Sequence, residues 1–137
     1  MTESIIKTGG CHCEAVRFRL TGEARGVVNC HCAQCVKTHG HYIAYSRCAK
    51  VDIEVTGIEH VTWYNASPDA RRGFCSKCGS RLFWEREDGD TISIAAGVFD
   101  VPSGLKTLGN IFVADKPDYY EISDDLPAFP QSDNGKL

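Results

Sequence analysis

Cys11-His12-Cys13 near the N-terminus and Cys75-Ser76-Lys77-Cys78-Gly79 further along the chain are the stretches that decide the fold. In the later stretch, a gap of two residues lets both sulfurs bind one ion, and Gly79 permits the tight turn beneath them. In the earlier stretch, an extended backbone directs the sulfurs of Cys11 and Cys13 to the same side. Four sulfurs close a tetrahedral site, and thiolate sets of this kind favour zinc. We therefore predict a structural zinc site that joins distant parts of the chain.

A third cysteine group, Cys30-His31-Cys32-Ala33-Gln34-Cys35, offers three sulfurs within six residues. Three thiolates leave the fourth position of a tetrahedral ion open, which is typical of catalytic zinc sites. Cys30, Cys32 and Cys35 are therefore the candidate catalytic ligands. The alternative interpretation closes this position with a histidine, and His39 or His41 is the candidate.

Other side chains of the cysteine groups receive different assignments. His12 and His31 each lie between paired cysteines, so we expect their rings to point away from the ion, at the surface or as hydrogen-bond partners of the ligands. Cys48 stands alone in the sequence, and a lone cysteine is typically a small buried hydrophobe.

The eight cysteines also fit a disulfide framework or a set of unliganded core or redox thiols. The N-terminus lacks the long apolar segment of a secretion signal, and 137 residues suffice for a core without disulfides. Because thiols stay reduced in the cytosol, metal binding is the favoured interpretation.

Composition limits the classes of protein that remain. With 42% apolar and 24% charged residues, the chain is expected to be globular, and its length fits one domain. A formal charge of -3 lacks the basic excess of a nucleic-acid binder. No apolar run approaches the roughly 20 residues that cross a bilayer. We therefore expect a cytoplasmic protein that binds neither nucleic acid nor membrane.

Short segments that alternate apolar and polar residues, or that are rich in β-branched and aromatic residues, indicate a mainly β fold. Helical periodicity is limited to residues 33–40, with a further turn or short helix expected near residues 101–105. The polar tail contains two prolines after residue 124, and we expect its last residues to be mobile. The predicted strands cover residues 16–21, 51–56, 61–64, 81–85, 91–94 and 111–113.

Basic residues surround the cysteine groups. Arg71, Arg72, Lys77 and Arg81 flank the Cys75 to Cys78 turn, and Lys37 follows the three-cysteine group. One interpretation is an ordinary solvated β surface. The other is contact with the carboxylates of a small anionic ligand, for which Lys37 and Arg72 are the candidates.

The order of these motifs resembles the family of the glutathione-dependent formaldehyde-activating enzyme, which also includes the centromere protein V proteins. The resemblance rests on Gly9-Gly10-Cys11-His12-Cys13, on residues 30–35 and on Gly73-Phe74-Cys75-Ser76-Lys77-Cys78-Gly79-Ser80, and later segments at 111–117 and 126–129 extend it. It covers about residues 7–130, which are expected to form the zinc domain, with 131–137 as a polar tail. Asn110 departs from the pattern, because relatives commonly have His there.

The resemblance implies a mainly β, single-domain, zinc-stabilised fold similar to the zinc fold of a Rab guanine-nucleotide exchange factor. It implies two zinc ions per chain. Carried over to this sequence, its structural ion is held by Cys11, Cys13, Cys75 and Cys78, and its catalytic ion by Cys30, Cys32 and Cys35.

The activity that the resemblance implies joins a thiol to an aldehyde, as in S-(hydroxymethyl)glutathione synthase, or cleaves the same carbon–sulfur bond. A free thiol with a pKa near about 8.5 is mostly protonated at neutral pH, and zinc coordination would deprotonate it. Glutathione is the first thiol and formaldehyde the first aldehyde to consider. Two other classes remain: a non-catalytic zinc module that binds a protein, and a zinc or thiol storage protein.

Overall fold

The structure is a computed structural model that describes residues 6–137. Within this range the chain is mainly β, as the sequence predicts, and it forms one seven-residue α-helix, α1 (Ala33–His39). The strands, in chain order, are β1 (Lys7–Gly10), β2 (Arg17–Leu20), β3 (Arg25–Cys30), β4 (Ile43–Ala49), β5 (Ile53–Thr56), β6 (Val61–Ser67), β7 (Ala70–Cys75), β8 (Arg81–Arg86), β9 (Thr91–Ala95) and β10 (Thr107–Ile111).

The strands form two sheets. The smaller sheet has the order β1-β2-β5, and the larger has the order β10-β3-β4-β9-β8-β7-β6. Each strand pair is antiparallel except β10 with β3, which is parallel. Short connections join β1 to β2, β6 to β7, β7 to β8 and β8 to β9. The helix α1 separates β3 from β4, whereas β5, β9 and β10 pair with strands that lie further back along the chain.

The core lies between the two sheets. On β2, Phe18 and Leu20 are buried, while the intervening Arg19 is exposed, which is the alternation of a half-buried strand. The Phe18 ring meets Phe83 of the larger sheet edge-on at 6.2 Å between centroids, and it meets Phe99 at 5.2 Å. The lone Cys48 is 4% exposed and belongs to the same cluster, in agreement with its predicted role as a small core residue.

Most of the predicted strands are confirmed, with two corrections, and of the turn or short helix expected near residues 101–105 no helix forms. Residues 50–52 form a 3-10 turn, so that strand begins at Ile53. The strand predicted at 111–113 is the end of β10, because Phe112 has a left-handed φ of 56° and Val113–Asp115 is a 3-10 turn. The segment 101–105 holds a bend and no helix, since Pro102 and Gly104 interrupt it.

The helix α1 begins and ends where its flanking residues require. The side chain of Cys32, at the N-cap position, accepts a hydrogen bond from the backbone N–H of Cys35 at 3.3 Å. Gly40 follows the helix with a left-handed φ of 86° and donates its N–H to the Val36 carbonyl, which is a typical glycine helix end. The helix therefore fixes the sulfurs of Cys32 and Cys35, two of the three cysteines in residues 30–35.

The C-terminal segment covers the edge strand β10. The Asn110 N–H donates to the Pro127 carbonyl and the Phe129 N–H donates to the Asn110 carbonyl, both at 2.9 Å. The Phe112 N–H donates to the Gln131 carbonyl at 2.9 Å. These bonds satisfy backbone groups that an edge strand would otherwise leave unpaired. In residues 6–137, no helix is long and apolar enough to cross a membrane.

Candidate metal centres

The first cysteine group brings four sulfurs together between the two sheets. Cys11 and Cys13 follow β1, while Cys75 ends β7 and Cys78 lies in the next turn. Their Sγ atoms all lie within 4.8 Å of one another, with Cys11 to Cys13 at 3.6 Å and Cys13 to Cys75 at 3.7 Å. A Zn–S bond of about 2.3 Å in a tetrahedron separates sulfurs by about 3.8 Å, so this arrangement fits zinc.

Backbone groups support this sulfur set. The N–H of Val16 donates to Cys11 Sγ at 3.3 Å, and the N–H of Lys77 donates to Cys75 Sγ at 3.4 Å. Gly79 adopts the predicted turn with a φ of 79°, and its N–H donates to the Cys75 carbonyl at 2.8 Å. The N–H groups of Val16 and Lys77 point at sulfurs, where they would stabilise thiolates bound to a metal. The four sulfurs could therefore hold a metal ion.

The second cysteine group brings Cys30, Cys32 and Cys35 together, with their Sγ atoms within 4.8 Å. Cys30 ends β3, Cys32 caps α1, and Cys35 lies in the first turn of that helix. Cys30 and Cys35 are buried and 3.2 Å apart at sulfur, whereas Cys32 is half-buried. The group is therefore approached from the side of Cys32.

Neither histidine of the alternative interpretation joins this group among the residues that the structure describes. His39 Nε2 lies 3.2 Å from the Tyr45 hydroxyl, and His41 Nδ1 lies 2.5 Å from the Tyr119 hydroxyl. Both rings are thus engaged with tyrosines. The second cysteine group thus offers a metal three sulfurs, and residues 6–137 supply no fourth ligand.

The three sulfurs share negative charge unequally. A hydrogen bond from Cys30 lowers the pKa of Cys32 to about 2, while the same hydrogen bond raises the pKa of Cys30. One thiolate held by neighbouring thiols is the stable state without a cation, because three adjacent thiolates would repel one another. A divalent cation is what allows all three to ionise, so the donor set fits a thiolate metal such as zinc.

Arg72 of β7 is the cation nearest to these sulfurs, and it is only 7% exposed. Its Nη2 donates to Cys35 Sγ at 3.5 Å and to Gln34 Oε1 at 2.8 Å. Its Nη1 lies 3.1 Å from the Tyr45 hydroxyl and 3.3 Å from His39 Nε2. Within the described residues Arg72 has no carboxylate partner. Its charge therefore acts on the sulfur group.

The two candidate carboxylate-binding residues lie in different surroundings. Arg72 is buried beside Cys35, whereas Lys37 is exposed on α1. Burial, followed by the charge of Arg72, lowers the pKa of His39 to about 4, so this ring is neutral near pH 7. The positive charge beside the sulfurs is therefore that of Arg72.

His31 is buried, at 1% exposure, and not at the surface. Its Nε2 lies 2.9 Å from Asn110 Oδ1, and its Nδ1 lies 2.6 Å from the Tyr120 hydroxyl. With the amide oxygen as acceptor, the assigned tautomer carries its proton on Nε2, and Tyr120 donates to Nδ1. Asn110, the residue that departs from the family pattern, thus holds the ring that lies between two ligands. His12 is exposed, as expected.

Sequence reasoning missed Gln34, Tyr45 and Tyr120 as neighbours of this site. Each comes from a different part of the chain, namely α1, β4 and the segment after β10. Gln34 lies inside the Cys30 to Cys35 motif, but its contact with Arg72 depends on how the helix packs. No local motif marks Tyr45 or Tyr120.

Comparison with known proteins agrees with this arrangement of cysteines. The sequence profile of the family described as glutathione-dependent formaldehyde-activating enzyme matches residues 6–115. The chain belongs to this family. The match contains both cysteine groups, and it confirms the resemblance that the motif order indicates.

Two relatives show how far the family likeness extends. The chain is 27% identical over 123 residues to an uncharacterized lyase of Schizosaccharomyces pombe, covering 88% of each chain. It is 38% identical over 88 residues to a protein of Halomonas elongata that is provisionally named glutathione-dependent formaldehyde-activating enzyme, covering 58% of this chain and 55% of the relative. Together with the family match, these names support a lyase at the level of the family.

A solved structure supports the fold. The chain resembles a crystal structure of a Rhodobacter sphaeroides protein with a TM-score of 0.59 and 22% identity, covering 73% of this chain and 97% of that one. At this identity the likeness concerns the fold alone.

Proposed function

We propose that this protein is a zinc-dependent carbon–sulfur lyase that joins a small thiol such as glutathione to an aldehyde, similar to S-(hydroxymethyl)glutathione synthase. The observation that supports it best is the set of three sulfurs beside a buried arginine, with no fourth ligand among residues 6–137. The family match adds that this arrangement occurs in a chain related to lyases.

In this proposal Cys30, Cys32 and Cys35 hold the catalytic ion. With zinc bound there, a thiol that enters beside Cys32 would have its pKa lowered and its sulfur held next to the aldehyde carbon. Arg72 donates to Cys35 and reduces the excess negative charge of the sulfur group. The half-buried side at Cys32 is where the thiol enters.

The proposed reaction adds the thiol across the carbonyl group. The sulfur–carbon bond forms, the carbonyl π bond breaks, and the proton from the thiol ends on the new hydroxyl oxygen. The reverse reaction cleaves the same carbon–sulfur bond. We propose that the carboxylates of the thiol contact Lys37, which is exposed on α1, and Arg72, which is buried on β7 beside Cys35.

The four-sulfur group has a structural part in this proposal. Its second zinc ion would be held by Cys11, Cys13, Cys75 and Cys78, which close the tetrahedron and leave no position for substrate. The protein would then contain two zinc ions with different roles.

The test is calorimetry of the zinc-loaded protein with glutathione and with S-methylglutathione, together with an assay of the formaldehyde adduct. We expect glutathione to bind at least about tenfold more tightly, because the methylated sulfur cannot become a thiolate ligand. Cys32→Ser should lose adduct formation, while Cys48→Ala, which removes a cysteine outside both groups, should keep it.

Equal binding of the two ligands would show that sulfur coordination does not drive binding. Failure of both to bind, together with no adduct formation, would favour a non-catalytic zinc module or a zinc store.

A further inference from the structure

A cavity of about 420 Å³ lies between α1 and the outer strands of the larger sheet. Thr62 is opposite Phe74 and Tyr64 is opposite Arg72 in the β6–β7 register, and opposite residues of an antiparallel pair lie on one face of a sheet. The side chains that form its walls come from α1 and three strands, and they include Thr38, His39, Tyr64, Arg72, Phe74 and Arg81.

The walls combine positive charge with aromatic rings. Arg72 and Arg81 both line the cavity, no carboxylate does, and neither arginine forms a salt bridge within residues 6–137. The Arg81 guanidinium lies 5.1 Å from the centroid of the Phe74 ring, and Tyr64 lies on the same face of the sheet. Such walls suit an anion with a flat apolar body.

The cavity adjoins the three-sulfur group through Arg72, which lines the cavity and donates to Cys35 Sγ at 3.5 Å. Cys30, Cys32 and Cys35 are not among its lining residues, so a molecule in the cavity has one end at Arg72, the side chain that contacts the sulfur group. Formaldehyde is little larger than a water molecule, whose share of liquid volume is about 30 Å³, so it leaves this space nearly empty. Small-molecule sites in proteins span roughly 300–1,000 Å³, and this cavity falls in that range.

Given the proposed function, we infer that the carbon partner is an aldehyde with a carboxylate and a flat apolar body, and that this body occupies the cavity. Its carboxylate pairs with Arg81 at the exposed end, and its aldehyde group is directed toward the sulfurs at the Arg72 end. In this arrangement the body of the thiol stays outside the cavity, on the side of Cys32, and only a carboxylate of the thiol shares Arg72 with it. The thiol adds across this aldehyde as described above, so atoms and charge balance without a further reactant.

Binding is tested with 4-(hydroxymethyl)benzoate, which has the proposed shape but no aldehyde to react. Calorimetry on the zinc-loaded full chain should show binding at least about tenfold tighter than that of benzyl alcohol, which lacks the carboxylate. Thr62→Trp, which fills the cavity from the exposed edge strand, should weaken binding of the benzoate by about tenfold or more. Thr56→Trp, at an exposed site on the smaller sheet, is the matched control and should leave binding unchanged.

Catalysis is tested by comparing 4-formylbenzoate with formaldehyde as partners of glutathione. We expect Thr62→Trp to lower kcat/KM for 4-formylbenzoate by about tenfold and to leave kcat/KM for formaldehyde unchanged. If formaldehyde reacts but the benzoate does not bind, or if glutathione displaces it competitively, the cavity inference is wrong and the proposed function stands. If the benzoate binds and no aldehyde reacts with any thiol, the proposed function is wrong, and the cavity has no part in such a reaction.

Discussion

Arg72 is the side chain that connects the sulfur group to the rest of the fold. Its guanidinium contacts residues of α1 and β4 as well as Cys35 Sγ, and it has no carboxylate partner among the described residues. A buried charge is costly unless it is paired, so the thiolates and this arginine stabilise each other. The charge of the sulfur group and the position of α1 are therefore coupled.

Arg72→Met should weaken metal binding at the three-sulfur group by about 10- to 100-fold, which is the usual effect of removing a hydrogen-bond partner of a metal ligand. The metal affinity of Arg72→Lys should lie between those of the wild type and Arg72→Met. An ammonium keeps the charge but cannot donate to Cys35 and Tyr45 together. Competition with a chromophoric chelator measures the affinity. Arg71→Met is the matched control, since Arg71 pairs with Glu85 away from the sulfurs. An unchanged affinity in Arg72→Met would contradict this role.

His39 should give stability a dependence on pH. Burial lowers its pKa from 6.5 to about 4, so between these values the unfolded chain binds more protons than the folded one. The stabilisation is present above pH 6.5 and is lost as the pH falls toward 4. In urea titrations with zinc present, the free energy of unfolding of the wild type should fall relative to that of His39→Asn as the pH drops from 6.5 to 4. A constant difference between the two proteins across the window would contradict the assignment.

The short helix α1 carries Cys35 and presents Cys32 at its N-cap, so its length sets the geometry of the sulfur group. Seven residues are too few for an isolated helix to be stable in water. Its ends are therefore decisive: the Cys32 sulfur accepts from the Cys35 N–H, and Gly40 ends the last turn. We therefore expect metal binding at the sulfur group and formation of the helix to stabilise each other.

Gly40→Ala should destabilise the protein by about 1 kcal/mol, because alanine is disfavoured at the left-handed φ of 86°. A Cβ at this position meets no atom within 4 Å, so the effect is one of backbone conformation alone. Gly97→Ala is the control, since its Cβ is also unobstructed and its φ is not positive. Unfolding in guanidinium measures the free energy of unfolding of both variants. Equal stability of both variants would show that the end of the helix is not fixed by this glycine.

How far the sequence predicts these elements depends on how local their signals are. Alternation on β2 and β5 is visible because one face of each strand is buried more than the other. The sequence does not predict β1, β3, β4 or β7. In β3, for example, the consecutive residues Val27 and Val28 are buried together, so one face does not alternate with the other. The parallel pairing of β10 with β3, and hence the contact of Asn110 with His31, depends on register that no local pattern records.

The four-sulfur group joins the two sheets, since Cys11 and Cys13 follow a strand of the smaller sheet and Cys75 ends a strand of the larger one. The three-sulfur group, by contrast, closes within six residues at the junction of β3 and α1. Apparent free energies for structural zinc are about 10–16 kcal/mol, comparable with the whole stability of a domain. The two groups should therefore differ in their effect on folding.

Cys75→Ser should unfold the protein or prevent its accumulation, whereas Cys32→Ser should remain folded and inactive. The reason is that the first substitution opens the connection between the sheets, while the second affects only a local loop. Circular dichroism and thermal unfolding distinguish these outcomes. Equal loss of thermal stability in the two variants would show that the structural and catalytic assignments are wrong.

The central claim is that the metal held by Cys30, Cys32 and Cys35 takes a thiol as its fourth ligand. A crystal structure of the zinc-loaded protein with glutathione, with data collected at the zinc absorption edge, tests it most directly. The account predicts the glutathione sulfur at about 2.3 Å from this zinc. A fourth ligand from His39 or His41, with glutathione absent from the metal, would contradict it.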